Sequence, residues 1–156
     1  MCKIVSVLII RYLNKIRGEE MTFHYLMMAC HTKIQKKLYS RLKETGLTIG
    51  QPKILDYLKD NDGALQKDIA AACHIEPATL TSLLNGMEKA GLAQRKTING
   101  NRRSSYIYLT EKGREKLSLV TKEFEEIERE AFSGLSDSQV SECMETLKKI
   151  YENLSE

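Results

Sequence analysis

Apolar side chains recur every three or four residues over most of this chain, which is the spacing of an amphipathic helix. Three stretches show the pattern most clearly. In residues 22–44 the apolar positions are Phe23, Met27, Cys30, Ile34, Leu38 and Leu42; in residues 111–132 they are Leu117, Val120, Phe124, Ile127 and Ala131; in residues 140–154 they are Val140, Met144, Leu147, Tyr151 and Leu154. The sequence therefore predicts a helix-rich fold. Its outer helices carry apolar stripes that a small core would not cover completely, so they would pack on each other or on a second copy.

The middle of the chain predicts two short helices joined by a tight turn. Residues 66–73 form an alanine-rich helical pattern, and residues 77–90 form a second one that opens with Pro77. Proline suits the first position of a helix, because the N–H that it lacks would have no partner there. His74 lies in the connecting turn, where a residue that tolerates a positive φ is needed. Two helices joined in this way are typical of a helix-turn-helix.

A β-hairpin is predicted directly after the second helix. Gly91 ends that helix, residues 92–96 can form one strand, and residues 104–109 alternate well enough to form its partner. The loop between them contains an Asn-Gly turn signal, followed by Asn101, Arg102 and Arg103. A hairpin with arginines at its tip, placed after a recognition-type helix, indicates the wing of a DNA-binding module.

Four short motifs follow one another along the chain. They are Gly-Leu-Thr at residues 46–48, Gly-Leu at residues 91–92, Asn-Arg-Arg at residues 101–103 and Leu-Thr-Glu-Lys-Gly at residues 109–113. Their order and spacing resemble the winged-helix regulators of the MarR (multiple antibiotic resistance regulator) family, over roughly residues 22–154. The resemblance implies a mainly α-helical fold with a small β-hairpin wing. It implies a single domain at residues 21–156, with a winged helix-turn-helix lobe at about residues 47–112 and dimerisation helices at about residues 22–45 and 111–155.

Two positions depart from the family's pattern. Asn101 stands where the family has an aspartate, so the ion pair that would brace the wing is replaced by an amide. Glu76 precedes the predicted recognition helix at a position where a serine or aspartate cap is expected, and glutamate is a poorer cap.

The resemblance and the distribution of charge together predict a homodimeric, sequence-specific regulator of transcription, and more specifically a repressor released by a small molecule. Residues 1–45 and 65–113 carry net charges of +6 and +3, whereas residues 114–156 carry −5. The basic surplus therefore falls on the regions that would face phosphates, and a handful of neutralised phosphates is enough for affinity. Two such units would read a pseudo-palindrome in double-stranded DNA with half-sites ~34–36 Å apart.

The predicted recognition helix supplies most of the candidate DNA-binding residues. Its leucines and Met87 are expected to face the core. Small residues at its start let the DNA backbone approach, hydroxyl groups can reach phosphates or base edges, and Asn85 can pair bidentately with adenine. An arginine of the wing is placed to enter a narrow minor groove. The full predicted set is Gln66, Lys67, Pro77, Ala78, Thr79, Thr81, Ser82, Asn85, Lys89, Arg95, Asn101, Arg102 and Arg103.

Two other functions stay open. A winged helix can be a protein-interaction module without DNA binding, but its wing would then be uncharged. The second alternative is a redox- or metal-responsive regulator. Redox-sensing members keep a reactive cysteine near the start of the first long helix, and alignment on residues 46–48 puts that position near His24 rather than Cys30. His24 and His31 lie seven residues apart, beside Cys30, but have no acidic partners nearby in the sequence.

No pattern in the chain indicates an enzyme or a bound cofactor. There is no Ser-His-Asp set, no paired carboxylates and no phosphate-binding loop, and the four cysteines show no C-x-x-C pair. The composition, 42% hydrophobic and 29% charged, is that of a globular protein. We expect a cytoplasmic protein with reduced thiols and no membrane association. Met21, Met27 and Met28 with Phe23 and Tyr25 are typical of a core; as a crevice they would admit a small apolar or phenolic ligand.

Residues 1–20 are the least typical part of the chain. Residues 4–10 are apolar except for one serine, and the run is too short to span a bilayer and lacks a signal-peptide cleavage site. Two interpretations are open. The segment can be an added helix that extends the dimer interface. Alternatively, the true start is Met21, because residues 17–20 can be encoded by a purine tract that looks like a ribosome-binding site.

Overall fold

The computed structural model describes residues 21–97 and 105–155. The predicted extension at residues 1–20 and the predicted wing tip at residues 98–104 lie outside them. In chain order the elements are α1 (Phe23–Leu42), a 3-10 helix (Lys43–Thr45), α2 (Gln51–Asp60), β1 (Ala64–Leu65), α3 (Gln66–Ala72), α4 (Pro77–Lys89), β2 (Ala93–Lys96), β3 (Tyr106–Leu109), α5 (Glu111–Ala131) and α6 (Asp137–Leu154). The predicted fold class, mainly α-helical with a small β-hairpin, is confirmed.

The chain divides into two units, residues 1–37 and residues 38–156. The second unit contains one hydrophobic core, built from the end of α1, from α2 to α5 and from the sheet. Its fully buried side chains include Ile54, Leu55 and Leu58 of α2. The predicted domain boundaries themselves stay a prediction.

Three antiparallel strands form the sheet in the order β1-β3-β2. In β2 and β3, Ala93 lies opposite Leu109 and Arg95 lies opposite Ile107. Ala93, Ile107 and Leu109 are buried, as the alternation of the second predicted strand requires. The sequence did not indicate β1, whose two residues pair with Ile107 and Tyr106, the first two residues of β3.

The apolar stripe of α5 is covered largely, but not completely, by the chain's own core. Val120 and Ile127 are buried, and Leu117 and Phe124 pack against the core. Near its end, α5 is also tied to α1, because Arg41 donates to Glu123 at 3.4 Å and makes an ion pair with Glu130. Helix α2 packs along α5, so the core covers much of this stripe, while Leu117 and Phe124 stay partly exposed and Ala131 is exposed.

Helix α6 differs, because none of its residues is buried. It begins with the predicted capping box, in which Ser136 accepts from the backbone of Gln139 and the Gln139 side chain accepts from the backbone of Ser136. Its apolar side chains Met144, Tyr151 and Leu154 are 52%, 56% and 75% exposed. This helix therefore has a well-formed start and an apolar face that its own chain leaves open. Among the helices that the structure describes, none is long and apolar enough to cross a membrane.

Candidate nucleic-acid interface

Helices α3 and α4 form the predicted helix-turn-helix. The turn between them is closed by a hydrogen bond from the backbone N–H of Ile75 to the carbonyl of Ala70, at 2.9 Å. His74 has φ 48°, which confirms the predicted left-handed position. Its ring also lies edge-on to that of Tyr151, with 5.8 Å between centroids, so α6 contacts the turn.

The recognition helix α4 has one buried side and one exposed side. Leu80, Leu84 and Met87 are completely buried, and Leu83 is partly buried against the same core. On the opposite side, the exposed residues are those predicted to face DNA: Pro77, Ala78, Thr79, Thr81, Ser82, Asn85 and Lys89. Polar and small side chains thus stand together on the surface that a groove would meet.

The start of α4 is suited to an anion. Glu76 precedes the helix without any side-chain capping bond, and the first turn contains no acidic residue. The first N–H groups of a helix have no partners within it, and the helix dipole adds a partial positive charge there. A phosphate is the group that such an end favours.

Two predicted DNA-binding residues, Gln66 and Thr81, are hydrogen-bonded to each other. Gln66, the first residue of α3, donates from Nε2 to Oγ1 of Thr81 at 2.8 Å. The Thr81 hydroxyl in turn donates to the carbonyl of Pro77 at 2.8 Å. This chain of hydrogen bonds fixes the start of α3 against the first turn of α4, so the two helix ends present a single surface.

Arg95 of β2 makes a second link to the recognition helix. Its Nη1 donates to Oδ1 of Asn85 at 2.8 Å and forms an ion pair with Glu88. The backbone N–H of Arg95 also donates to Oε1 of Glu88 at 3.1 Å. Sequence reasoning missed Glu88; the nearest signal is its place at the end of a helix, seven residues before an arginine in a strand.

The base of the hairpin is fastened to the end of α4. The Thr110 hydroxyl donates to the carbonyl of Gly91 at 2.6 Å, and Nζ of Lys112 donates to that of Ala90 at 2.8 Å. On the other side of the sheet, Asp62 accepts from the backbone N–H of Leu109 at 2.8 Å and from Arg114 at 2.7 Å. These bonds set the direction in which the hairpin leaves the recognition helix.

A family model described as the MarR family matches residues 45–104, from the end of the 3-10 helix to the end of the segment between β2 and β3 that lies outside the described residues. The structure of the S. aureus MepR–DNA complex superposes with a TM-score of 0.80 at 28% identity, covering 87% of this chain and 100% of that chain. The chain is thus similar to the MarR family in the segment that contains the helix-turn-helix and to a MarR-type structure over most of its length.

The comparisons also found a further solved structure and two curated relatives. A putative MarR regulator from Listeria monocytogenes, complexed with a 26mer DNA, has a TM-score of 0.82 at 23% identity and covers 86% of this chain and 90% of its own. The regulator PecS of Dickeya dadantii is 35% identical over 86 residues, which is 55% of this chain and only about half, 52%, of PecS. The repressor IacR of Pseudomonas putida is 21% identical over 141 residues, 90% of this chain and 84% of IacR.

The predicted site residues fall into three groups. Four of them form two hydrogen-bonded pairs, Gln66 with Thr81 and Asn85 with Arg95. Lys67 of α3 and Pro77, Ala78, Thr79, Ser82 and Lys89 of α4 are exposed. Asn101, Arg102 and Arg103 lie outside the described residues, so their contact with DNA stays a prediction.

The alternative chemistries receive no support from the geometry. Within residues 21–97 and 105–155, no three His, Cys, Asp or Glu side chains are grouped so that they could hold a metal ion. His24 contacts Thr22 at 3.1 Å and His31 contacts Gln35 at 3.3 Å. The relatives and structural neighbours found by the comparisons are described as transcriptional regulators, which are not enzymes.

Cys73 has the properties of a core residue. It is 2% exposed, its thiol lies 3.8 Å from the carbonyl of Lys53, and burial raises the pKa of that thiol. A thiol must lose its proton to react as a nucleophile, so a raised pKa makes Cys73 less reactive. Cys30 and Cys143 are exposed.

Proposed function

We propose that this protein is a homodimeric transcriptional regulator that binds a pseudo-palindromic site in double-stranded DNA. The observation that carries the proposal is the exposed side of α4, where small and hydroxyl-bearing residues stand between an uncapped helix start and a fastened hairpin. Similarity to the MepR–DNA complex supports this use of the fold.

In the proposed complex α4 enters the major groove. Pro77 and Ala78 allow the DNA backbone to come close to the helix start, whose N–H groups would bind a phosphate. Ser82 and Asn85 would reach base edges, and Lys89 would neutralise a phosphate at the far end of the helix. Arg102 or Arg103 would enter the neighbouring minor groove, where narrow A·T-rich DNA attracts arginine.

The proposed dimer is supported by the apolar surface that the chain leaves open. Helix α6 buries none of its own side chains. In the first unit, α1 has a second exposed apolar set: Phe23, Tyr25, Leu26, Met27, Met28 and Ile34. Large apolar patches on a protein surface mark interaction sites, and a second copy is the partner that we propose for each set.

We also propose that the protein is a repressor that a small apolar or phenolic ligand releases. IacR, described as a repressor, supports the first part of this proposal. Among the described residues the predicted ligand crevice is not enclosed, since Met21, Met27, Met28, Phe23 and Tyr25 are all exposed. A ligand pocket there would therefore be completed by the second copy.

Selection from a random double-stranded DNA library, followed by affinity measurements on the selected site, tests DNA binding. We expect an inverted-repeat consensus sequence. Light scattering should give the mass of a dimer for the free protein and the mass of one dimer plus one duplex for the complex. A single half-site, or a folded monomer at micromolar concentration, would contradict the dimer.

A pair of lysine variants tests the recognition face. Lys89→Gln should weaken binding and flatten the salt dependence by about one unit of slope, because one phosphate contact is lost. Lys59→Gln removes the same charge from α2, at a position that borders Ser118 and Thr121 of α5, and should change neither quantity. Equal effects of the two variants would show that α4 does not face DNA.

Addition of the purified protein to a transcription reaction driven by a promoter that contains the selected site tests its direction of action. We expect fewer transcripts, and more of them after addition of a phenolic ligand. An increase in transcripts caused by the protein alone would identify an activator.

A further inference from the structure

The side-chain amide of Asn85 is held by one end. Its Oδ1 accepts a hydrogen bond from Nη1 of Arg95 at 2.8 Å, and the residue itself is exposed on the recognition face of α4. The donor is a guanidinium, and hydrogen bonds from charged donors are about twice as strong as those between neutral groups. The oxygen end of the amide is thus directed toward β2.

Arg95 is itself fixed in place. Glu88 pairs with its guanidinium and accepts a hydrogen bond from its backbone N–H at 3.1 Å. The side chains of Arg95 and Glu88 are 24% and 32% exposed. One carboxylate therefore both positions the arginine and compensates its charge, which leaves less of that charge to attract a phosphate.

We infer that Arg95 and Glu88 are positioning residues, which set the orientation of the Asn85 amide and so determine which base pair it accepts. This inference rests on the proposed function, because it concerns how the same face reads DNA. It changes the predicted role of Arg95, from a residue that binds DNA to one that acts through Asn85.

The reasoning depends on what an amide can offer a base. The oxygen end accepts and the nitrogen end donates, and the two ends have nearly the same shape. An asparagine free to turn over can present either end, so it discriminates poorly between bases. Turning over in this protein would point the NH₂ group at the guanidinium, placing donor against donor and breaking a charge-assisted bond. The order of donor and acceptor at the groove is therefore fixed before DNA binds.

Fixed orientation should appear as selectivity at a single base pair of each half-site. A well-placed amide contact discriminates between bases by about tenfold or more. Without Arg95 we expect that preference to fall to about twofold. Affinity for random-sequence DNA should change much less, since the charge of Arg95 is already paired.

The experiment begins with the site selected by the wild-type protein from a random double-stranded DNA library. The base pair that loses its preference in Asn85→Ala is the one that Asn85 reads. Affinities are then measured for the selected site, for its three substitutions at that base pair and for random DNA, across a salt series. The variants are Arg95→Met, Glu88→Gln, each of these combined with Asn85→Ala, and the control Lys96→Met.

We expect Arg95→Met and Glu88→Gln to lose selectivity at the same base pair, although they change the net charge in opposite directions. Neither should reduce selectivity further when Asn85 is already alanine. Lys96→Met removes one positive charge from the next residue of β2 and should keep the preference. A further variant, Arg95→Lys, keeps the charge without the planar guanidinium and should lose much of the base-pair preference. It serves as a second test in case the methionine variant does not fold.

Two results would overturn the inference while leaving DNA binding intact. One is that Arg95→Met weakens all sequences by the same factor and flattens the salt dependence by about one unit, as loss of a phosphate contact would. The other is that the effects of Arg95→Met and Asn85→Ala add independently. A wild-type protein that selects no sequence would instead overturn the proposed function and this inference with it.

Discussion

Gly113 lies in the first turn of α5 and should be intolerant of any side chain. It is buried, and a Cβ added there would lie 2.0 Å from the carbonyl oxygen of Leu92 and 3.4 Å from a methyl group of Leu109. Ordinary van der Waals contact requires ~3.5 Å. The obstacle is backbone, so it cannot turn aside as a flexible side chain would.

The cost of Gly113→Ala can be estimated from three terms. Overpacking of this kind costs about 1–3 kcal/mol, and we take the upper value because backbone must move. Displacing Leu92 also weakens the hydrogen bond that its carbonyl accepts from the N–H of Thr110 at 3.1 Å, which costs about 1 kcal/mol. Alanine in a helix recovers about 1 kcal/mol relative to glycine. We therefore expect a net loss of about 3 kcal/mol.

Urea unfolding followed by circular dichroism, at one fixed protein concentration, measures this loss. The matched control is Gly86→Ala in α4, where the nearest atom to an added Cβ is Nε2 of Gln51 at 3.5 Å, an ordinary contact. The free energy of unfolding of that variant should exceed that of the wild type by about 0.5–1 kcal/mol, from helix propensity alone. The reasoning is refuted if Gly113→Ala is within about 1 kcal/mol of the wild type, or if both alanine variants shift stability in the same direction.

Four further outcomes are expected. Cys73 should react with a thiol reagent only on unfolding, whereas Cys30 and Cys143 react at once, as mass spectrometry of labelled peptides will show; early labelling of Cys73 would contradict its burial. The raised pKa of the Cys73 thiol has a second consequence. The unfolded chain loses that proton first, so this group should lower stability as pH rises through the ordinary pKa of a thiol; Cys73→Ala should remove that alkaline loss from melts across a pH series. Arg103→Ala should weaken operator binding and flatten its salt dependence without changing the melting temperature; an unchanged salt slope would show that the wing does not touch DNA. Asn101→Asp should leave the melting temperature nearly unchanged, because exposed ion pairs contribute only ~0–1 kcal/mol, and should slightly reduce affinity for random DNA at low salt; tighter binding would mean that wing order outweighs charge.

The sequence determined those features that depend on neighbouring residues. The spacing of apolar positions located the long helices, and Pro77 marked the first residue of α4. The capping box at Ser136 predicted where α6 begins, and His74 predicted the left-handed turn. Strand boundaries were within two residues of those observed. Each of these depends on backbone preference or on bonds that span only a few residues, so each can be recognised in a short window.

The tertiary structure decided what depends on contacts between distant residues. Strand β1 has only two residues and exists because it pairs with Ile107 and Tyr106, about forty residues further along the chain. The same holds for Asp62, whose carboxylate supports the base of the hairpin. No local pattern specifies such partners, because the chain must first fold to bring them together.

The candidate site shows the same division most clearly. The pattern of buried leucines predicted which side of α4 faces outward, since helical spacing alone fixes that side. It could not predict that Asn85 is held by Arg95, or that Glu88 holds Arg95. Those bonds form only when β2 packs beside α4, so the identity of the candidate DNA-reading residues followed from the sequence, whereas the orientation of Asn85 followed from the fold.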